Sequence, residues 1–330
     1  MTGSTPRPVQ GLTVRAPAKI NLHLGVGAAR PDGMHPLLTV YQAVSLYDDL
    51  AVQPSEDWRL GLSVDDHVAA HEVPLAGDNI VDRAADLLAG HHGLAAAGRG
   101  ADLHITKTIP VAGGMAGGSA DAAAALVALD RLWDLRTSDD DLLAIAAELG
   151  SDVPFALVGG TALGTGRGEI VTPVADHGSW WWALALSPDG MSTPAVYRHF
   201  DELHPDASPE PPPADDLLAA LDSGDPARLA ATLHNDLQAP AFDLRPDLRQ
   251  LVERGEDEGA LRGLVSGSGP TCVFLCESGE HARTVAAALR VPTAAGPEPV
   301  VLVAHGPVAG AHVLTTELTA EPTGEVPTGG

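Results

Sequence analysis

Residues 110–125 read P-V-A-G-G-M-A-G-G-S-A-D-A-A-A-A. Four glycines, Gly113, Gly114, Gly117 and Gly118, fall within six positions and lead straight into an alanine-rich run. Glycine has no Cβ, so such a loop exposes backbone N–H groups and lets a bulky anion approach closely. The start of the following helix turns its unpaired N–H groups and positive dipole end into the same space. The stretch therefore predicts a phosphate cradle made of Pro110, Val111, Ala112, Gly113, Gly114, Met115, Ala116, Gly117, Gly118, Ser119 and Ala120. A glycine-rich surface turn ahead of an ordinary helix is the plainer reading. In the helix, Ser119 or Asp121 is the expected cap. Leu126, Leu129 and Leu132/Trp133 are spaced to face a core.

Composition narrows the rest. A chain of 330 residues makes one large domain or two modest ones, and its 45% hydrophobic content is ample for a packed interior. The net charge of −25 disfavours nucleic acid or an anionic membrane as partner. A nucleotide substrate stays open, because a few local groups decide its binding. No apolar run is long enough to span a bilayer, and residues 1–10 lack a signal-peptide core, which predicts a soluble cytoplasmic protein. Cys272 and Cys276, the only cysteines, read as buried thiols. Of the 19 basic residues only Lys19 and Lys107 are lysine. A chain so biased toward arginine keeps lysine where a compact ammonium is needed.

Read for periodicity and turn signals, residues 12–26 suggest two strands interrupted at Pro17, with a turn at Pro31-Asp32-Gly33. Another strand is expected at 37–45, closed by Asp48-Asp49. A helix follows at 79–88, a strand at 101–107 running into the glycine loop, and a helix at 137–149 capped by Ser138. Strand 160–163 closes this half. The second half offers strand 180–187, a proline-rich loop at 205–213 too poor in apolar residues to pack, and helices at 214–221, 226–237 and 245–255. It ends with strand-bearing 264–276 and helix 279–289. The expected class is α+β, with one domain over 1–178, a second over 179–315 and a disordered tail at 316–330.

Familiar nucleotide motifs are missing. No glycine is followed by Lys, so there is no G-x-x-x-x-G-K-[ST] loop. The pairs Gly25/Gly27, Gly166/Gly168 and Gly267/Gly269 lack the third glycine of a dinucleotide fingerprint. This argues against a dinucleotide-dependent oxidoreductase. The protein-kinase set is also absent.

The glycine stretch does resemble the central motif of the GHMP kinases. A-P-A-K-I-N-L at 16–22 resembles their first motif, and L-V-S-G-S-G-P-T at 264–271 their third. The resemblance implies a two-domain fold with nucleotide and substrate in the cleft between domains, the third motif backing the phosphate loop. R-P-D-G-x-H at 30–35, G-S-D-V-P-F at 150–155 and S-T-P at 192–194 resemble the branch acting on 4-(cytidine 5'-diphospho)-2-C-methyl-D-erythritol, in the non-mevalonate route to isoprenoid precursors. That implies phosphorylation of its 2-hydroxyl by ATP.

Phosphoryl transfer to an alcohol needs a triphosphate cradle, neutralised charge and an acceptor for the hydroxyl proton. The resemblance assigns the acceptor to Asp152. Lys19 is its natural partner, holding the carboxylate ionised and stabilising charge on the transferring group. Asn21, two positions along the same strand, projects from the same face toward phosphate or substrate. Lys107, before the cradle, is within reach of the nucleotide, with a surface role as the alternative. For the cytidine end the resemblance points to His35, Thr193 and Tyr197. The chain departs from the pattern at Met34, where an aromatic is usual, and at Ala116, where glycine is usual. Mg²⁺ is expected with ATP, and no metal ligand is named. Rival readings are another GHMP kinase, of homoserine or mevalonate type, and a non-catalytic nucleotide-binding protein. A monomer or homodimer fits either.

Overall fold

The computed structural model describes residues 11–75, 77, 79–94, 100–187, 189–291 and 299–314. Two sheets carry the α+β architecture. The first contains β1 (Leu12–Val26), β2 (Leu37–Pro54), β3 (Trp58–Val64) and β4 (Ala101–Lys107), joined by β5 (Thr161–Thr165) and β6 (Ile170–Pro173). Its helices are α1 (Ile80–His91), α2 (Gly117–Leu132), α3 (Asp139–Leu149) and α4 (Val153–Val158). The second sheet, wholly antiparallel, begins with β7 (Trp180–Leu186). After it come α5 (Thr193–Leu203), α6 (Asp215–Ser223), α7 (Pro226–Thr232), the two-residue β8 (His234–Asn235), α8 (Gln238–Leu244) and α9 (Pro246–Asp257). β9 (Arg262–Val265), β10 (Cys272–Cys276), α10 (Gly279–Leu289), β11 (Val300–Gly306) and β12 (His312–Leu314) complete the chain. β12 and β8 both pair with β1, so the chain returns twice to the first sheet after entering the second.

Period-two alternation explains how the sheets share a core. On β7, Trp182 and Leu184 face a cluster shared with β1 and α2, while Ala183 and Ala185 face the cluster under α9 and α10. On β10, Val273 and Leu275 join the shared cluster, whereas Cys272, Phe274 and Cys276 join the other. Both thiols are free, and burial pushes each up to about 12. Alanines 120 and 122–125 of α2 are all buried, and their small side chains let the helix lie close on the strands below.

Several elements differ from expectation. β1 is one strand, because a register shift between Pro17 and Ala18 absorbs the missing proline donor. β2 runs on to Pro54, since Asp48 and Asp49 are used rather than solvated. Asp49 takes two bonds of 2.8 Å from Arg15, and Asp48 takes a lysine. The stretch 226–237 is not one helix: after Thr232 it extends to pair with β1. The proline-rich loop does pack, through its backbone. Ala28 N–H donates to Ser208 O at 2.7 Å, and a ring nitrogen of His23 lies 3.2 Å from Pro212 O. The tail expected at 316–330 lies outside the described residues.

Candidate active site

α2 begins on Ala116, whose φ of 60° and ψ of 37° are left-handed. Ala112 also has positive φ, at 51°. Two alanines in this region mark a loop held under strain by its surroundings, as functional loops often are. The expected caps do not form: no side chain caps the helix, and Asp121 turns inward to Lys107. The first-turn N–H groups are left for a ligand, with Gly117, Gly118 and Ser119 lining a cavity of about 750 Å³. Pro110, Ala112, Gly113, Gly114 and Ala116 line it as well. Val111, Met115 and Ala120 do not line it; Met115 and Ala120 are fully buried.

The loop is clamped from two sides. Lys19 N–H donates to Met115 O at 3.2 Å, Ser266 Oγ to Gly114 O at 3.1 Å, and Thr271 N–H to Gly113 O at 3.3 Å. A methyl on Gly114 (φ +79°) would run into the carbonyl oxygens of Ser266 and Gly269. The three glycine and lysine motifs thus meet at one place.

Beside the loop, Lys19 Nζ stands 3.6 Å from Asp152 Oδ2 and donates to Asn21 Oδ1 at 2.9 Å. Asn21 Nδ2 donates to Thr39 Oγ1 at 2.8 Å, and Thr39 Oγ1 donates to His23 O at 2.7 Å, which fixes the amide's orientation. The ammonium is nearly buried (9% of its side chain exposed), while the carboxylate (29%) opens to the cavity. Asp152 precedes α4 and caps no N–H with its side chain, so its oxygens stay available. Tyr41 flanks the pair, its ring centroid 5.5 Å from Lys19 Nζ and stacked on Phe155 at 4.8 Å. Burial, then the neighbouring Asp152 charge, raises the Tyr41 phenol well above its ordinary value, so it stays a neutral donor.

Lys107 does not line the cavity. Its ammonium, 2% exposed, is buried between Asp48 (2.6 Å) and Asp121 (2.7 Å). Burial alone would lower its pKa, but the two carboxylates outweigh that and raise it. Asp48 Oδ1 also accepts from Thr108 N–H at 2.7 Å and Ile109 N–H at 2.9 Å. The lysine therefore ties the strand before the loop to the helix after it. In sequence its neighbour Asp48 read as closing a strand, and nothing marked Asp121 as its partner.

At the far end of the cavity, His35 Nδ1 lies 2.8 Å from Gly27 O, which makes Nδ1 the protonated nitrogen. Its Nε2 is 3.5 Å from Asp201 Oδ2. The ring meets Tyr197 at 5.0 Å, tilted 35°, and Phe200 at 6.0 Å, edge on. Burial raises the Tyr197 phenol too, with Asp152 contributing. Thr193 Oγ1 lies 2.8 Å from Ser268 Oγ, joining α5 to the third motif. Met34 lines the cavity and is 42% exposed. Sequence reasoning missed Tyr41, Ser268, Arg167 and Arg198, which also line it.

Comparison with known proteins gives the same outline. The GHMP kinases N terminal domain matches residues 79–160, and the GHMP kinases C terminal domain matches 217–291. A 4-diphosphocytidyl-2-C-methyl-D-erythritol kinase from a Nocardioides species is 67% identical over 92% of this chain and 99% of its own. One from Thermobifida fusca is 54% identical over 92% of this chain and 98% of its own. A crystal structure of 4-(cytidine 5'-diphospho)-2C-methyl-D-erythritol kinase superposes with a TM-score of 0.72 at 33% identity, covering 89% of this chain and 98% of that one.

Proposed function

The chain belongs to the 4-diphosphocytidyl-2-C-methyl-D-erythritol kinases of the GHMP superfamily, and from that premise we propose how its residues divide the work. The reaction is phosphorylation by ATP of the 2-hydroxyl of 4-(cytidine 5'-diphospho)-2-C-methyl-D-erythritol, giving ADP and the 2-phosphate. It is a step of the non-mevalonate route to isoprenoid precursors.

One observation carries the division of roles: Lys19 and Asp152, 3.6 Å apart, share a cavity with the uncapped start of α2. The loop amides and the helix dipole hold the phosphates of ATP. The acceptor hydroxyl lies against Asp152, which takes its proton as the new P–O bond forms. Lys19 offsets charge growing on the phosphoryl oxygens, in a site where little water screens it. Asn21 holds the ammonium on target. Mg²⁺ would accompany the nucleotide, and Ser119 and Asp152, which line the same cavity, are the residues that would hold it. When bound, it neutralises phosphate charge.

At the other end His35 presents Nε2 to the cytosine edge, Tyr197 packs on the ring, and Thr193 bonds a polar group of the nucleotide. Met34 offers a polarisable thioether where a second ring would otherwise stack. We further infer a cytoplasmic enzyme, monomeric or homodimeric, with no nucleic-acid partner, since a charge of −25 repels phosphate backbones. An ADP-release assay with CDP-methylerythritol, homoserine and mevalonate tests this reading. Turnover confined to the CDP-linked alcohol supports it; preference for either of the others overturns it.

A further inference from the structure

The acceptor substrate carries a diphosphate between its two ends, and a chain of net charge −25 must meet it with local cations. Among the described residues lining the cavity, the lysines and arginines are Lys19, Arg167 and Arg198. Lys19 is committed to Asp152 and Asn21. We propose that Arg167, from the first sheet, and Arg198, from α5, together grip the diphosphate of the acceptor. This rests on the kinase reading of the cavity and extends it to the middle of the substrate.

Position is the main argument. Arg167 sits between Gly166 and Gly168 in the turn joining β5 to β6. Gly166 O accepts from Leu37 N–H at 2.8 Å, two residues beyond His35. Tyr41 Oη donates to Gly168 O at 3.5 Å, and Tyr41 flanks the Lys19–Asp152 pair. The turn is thus tied to the base end of the cavity on one side and to the phosphoryl-transfer end on the other. Arg167, Asp152 and His35 line the same cavity, and the diphosphate of the acceptor lies between the two ends that Asp152 and His35 would hold.

The turn is built to hold that arginine. Gly166 and Gly168 have φ of 74° and 102°, and a methyl on Gly168 would collide with Tyr41 Oη. Glu169 Oε2 accepts from Arg167 N–H at 2.5 Å, and its Oε1 lies 3.5 Å from Arg167 Nε. One edge of the guanidinium is steered by Glu169, and the terminal nitrogens remain for phosphate oxygens in a forked geometry. Arg198 follows Tyr197 on α5 and has no ion pair among the described residues. It lines the same cavity as Arg167. The Gly-x-Gly pair that failed as a dinucleotide fingerprint thereby gains a use.

The test compares Arg167→Gln and Arg198→Gln with wild type. KM for CDP-methylerythritol is expected to rise about tenfold to a hundredfold in each, the range for losing a charge-assisted hydrogen bond. KM for ATP should stay within about twofold, and Arg→Lys should recover part of the loss. Affinity for CDP-methylerythritol is also measured calorimetrically in an Asp152→Asn background with and without each arginine change. Wild-type-like acceptor affinity in both arginine variants, or an equal rise in KM for ATP, overturns the proposal. Failure of the underlying kinase reading shows separately, as absence of ATP-dependent turnover of CDP-methylerythritol by the wild-type protein. Arg198→Gln changes an exposed helix position, so the test stays readable even if Arg167→Gln disturbs its turn.

Discussion

Lys19 Nζ lies between two oxygens, 2.9 Å from Asn21 Oδ1 and 3.6 Å from Asp152 Oδ2, so the amide holds the ammonium more closely than the carboxylate does. That asymmetry leaves Asp152 free to receive a proton without first breaking a tight ion pair. Asn21→Ala should let the ammonium collapse onto Asp152 and lower kcat by roughly tenfold, the cost of about 1.4 kcal/mol of transition-state stabilisation. Steady-state kinetics checks this, and an unchanged kcat would remove Asn21 from the account.

Two glycines of the loop should respond differently to alanine. At Gly118 a Cβ meets no atom within 4 Å, yet the residue lines the cavity. Gly118→Ala should fold normally and raise KM for ATP by about tenfold or more, as loss of a phosphate–amide bond implies. At Gly114, with φ of +79° and two carbonyls in the way, alanine should destabilise the fold by about 1–3 kcal/mol. Urea unfolding beside ATP kinetics separates the two effects.

Removing the Lys107 ammonium strands Asp48 and Asp121 without their counter-ion. Lys107→Met is expected to cost about 3–5 kcal/mol, the usual result of breaking a buried pair from one side. Asp121, already raised by burial and by Asp48 against the pull of Lys107, should then be protonated in the folded state. An unfolding midpoint equal to wild type would contradict the staple drawn here.

His23 gives a pH dependence with a definite sign. Burial, aided by His234, lowers its pKa from 6.5, against the opposing effects of Pro212 O and Asp236. The unfolded chain therefore binds this proton more readily, and stability falls as pH drops from about 6.5 through the folded-state value. Thermal unfolding across that window should show a smaller pH slope in His23→Gln than in wild type. Parallel slopes would show that His23 is not the group responsible.

Much of this was legible in the sequence, for physical reasons. The glycine loop announces itself because phosphate binding restricts both residue type and spacing, Lys19 stands out in a chain with two lysines, and Asp152 was reached only through the family resemblance. The alternation of β7 and β10 declares two buried faces. Pro17 misled, because a bulge can hide a missing donor inside one strand. Lys107 misled as well: an ammonium near a phosphate loop suggests a ligand, and only the fold reveals two carboxylates from residues 59 and 14 positions away. Ala116 sits left-handed although its side chain resists it, which no propensity indicates. Arg167 was invisible as a site residue because its significance depends on the cavity that β5, β1 and α5 enclose.

The most direct measurement is single-turnover transfer of phosphate from ATP to CDP-methylerythritol by Asp152→Asn, with ATP binding measured on the same protein. A fall of about 10²–10⁴-fold in the rate, with ATP affinity essentially retained, is the expected result. A rate above a tenth of wild type would mean that the carboxylate does not receive the proton.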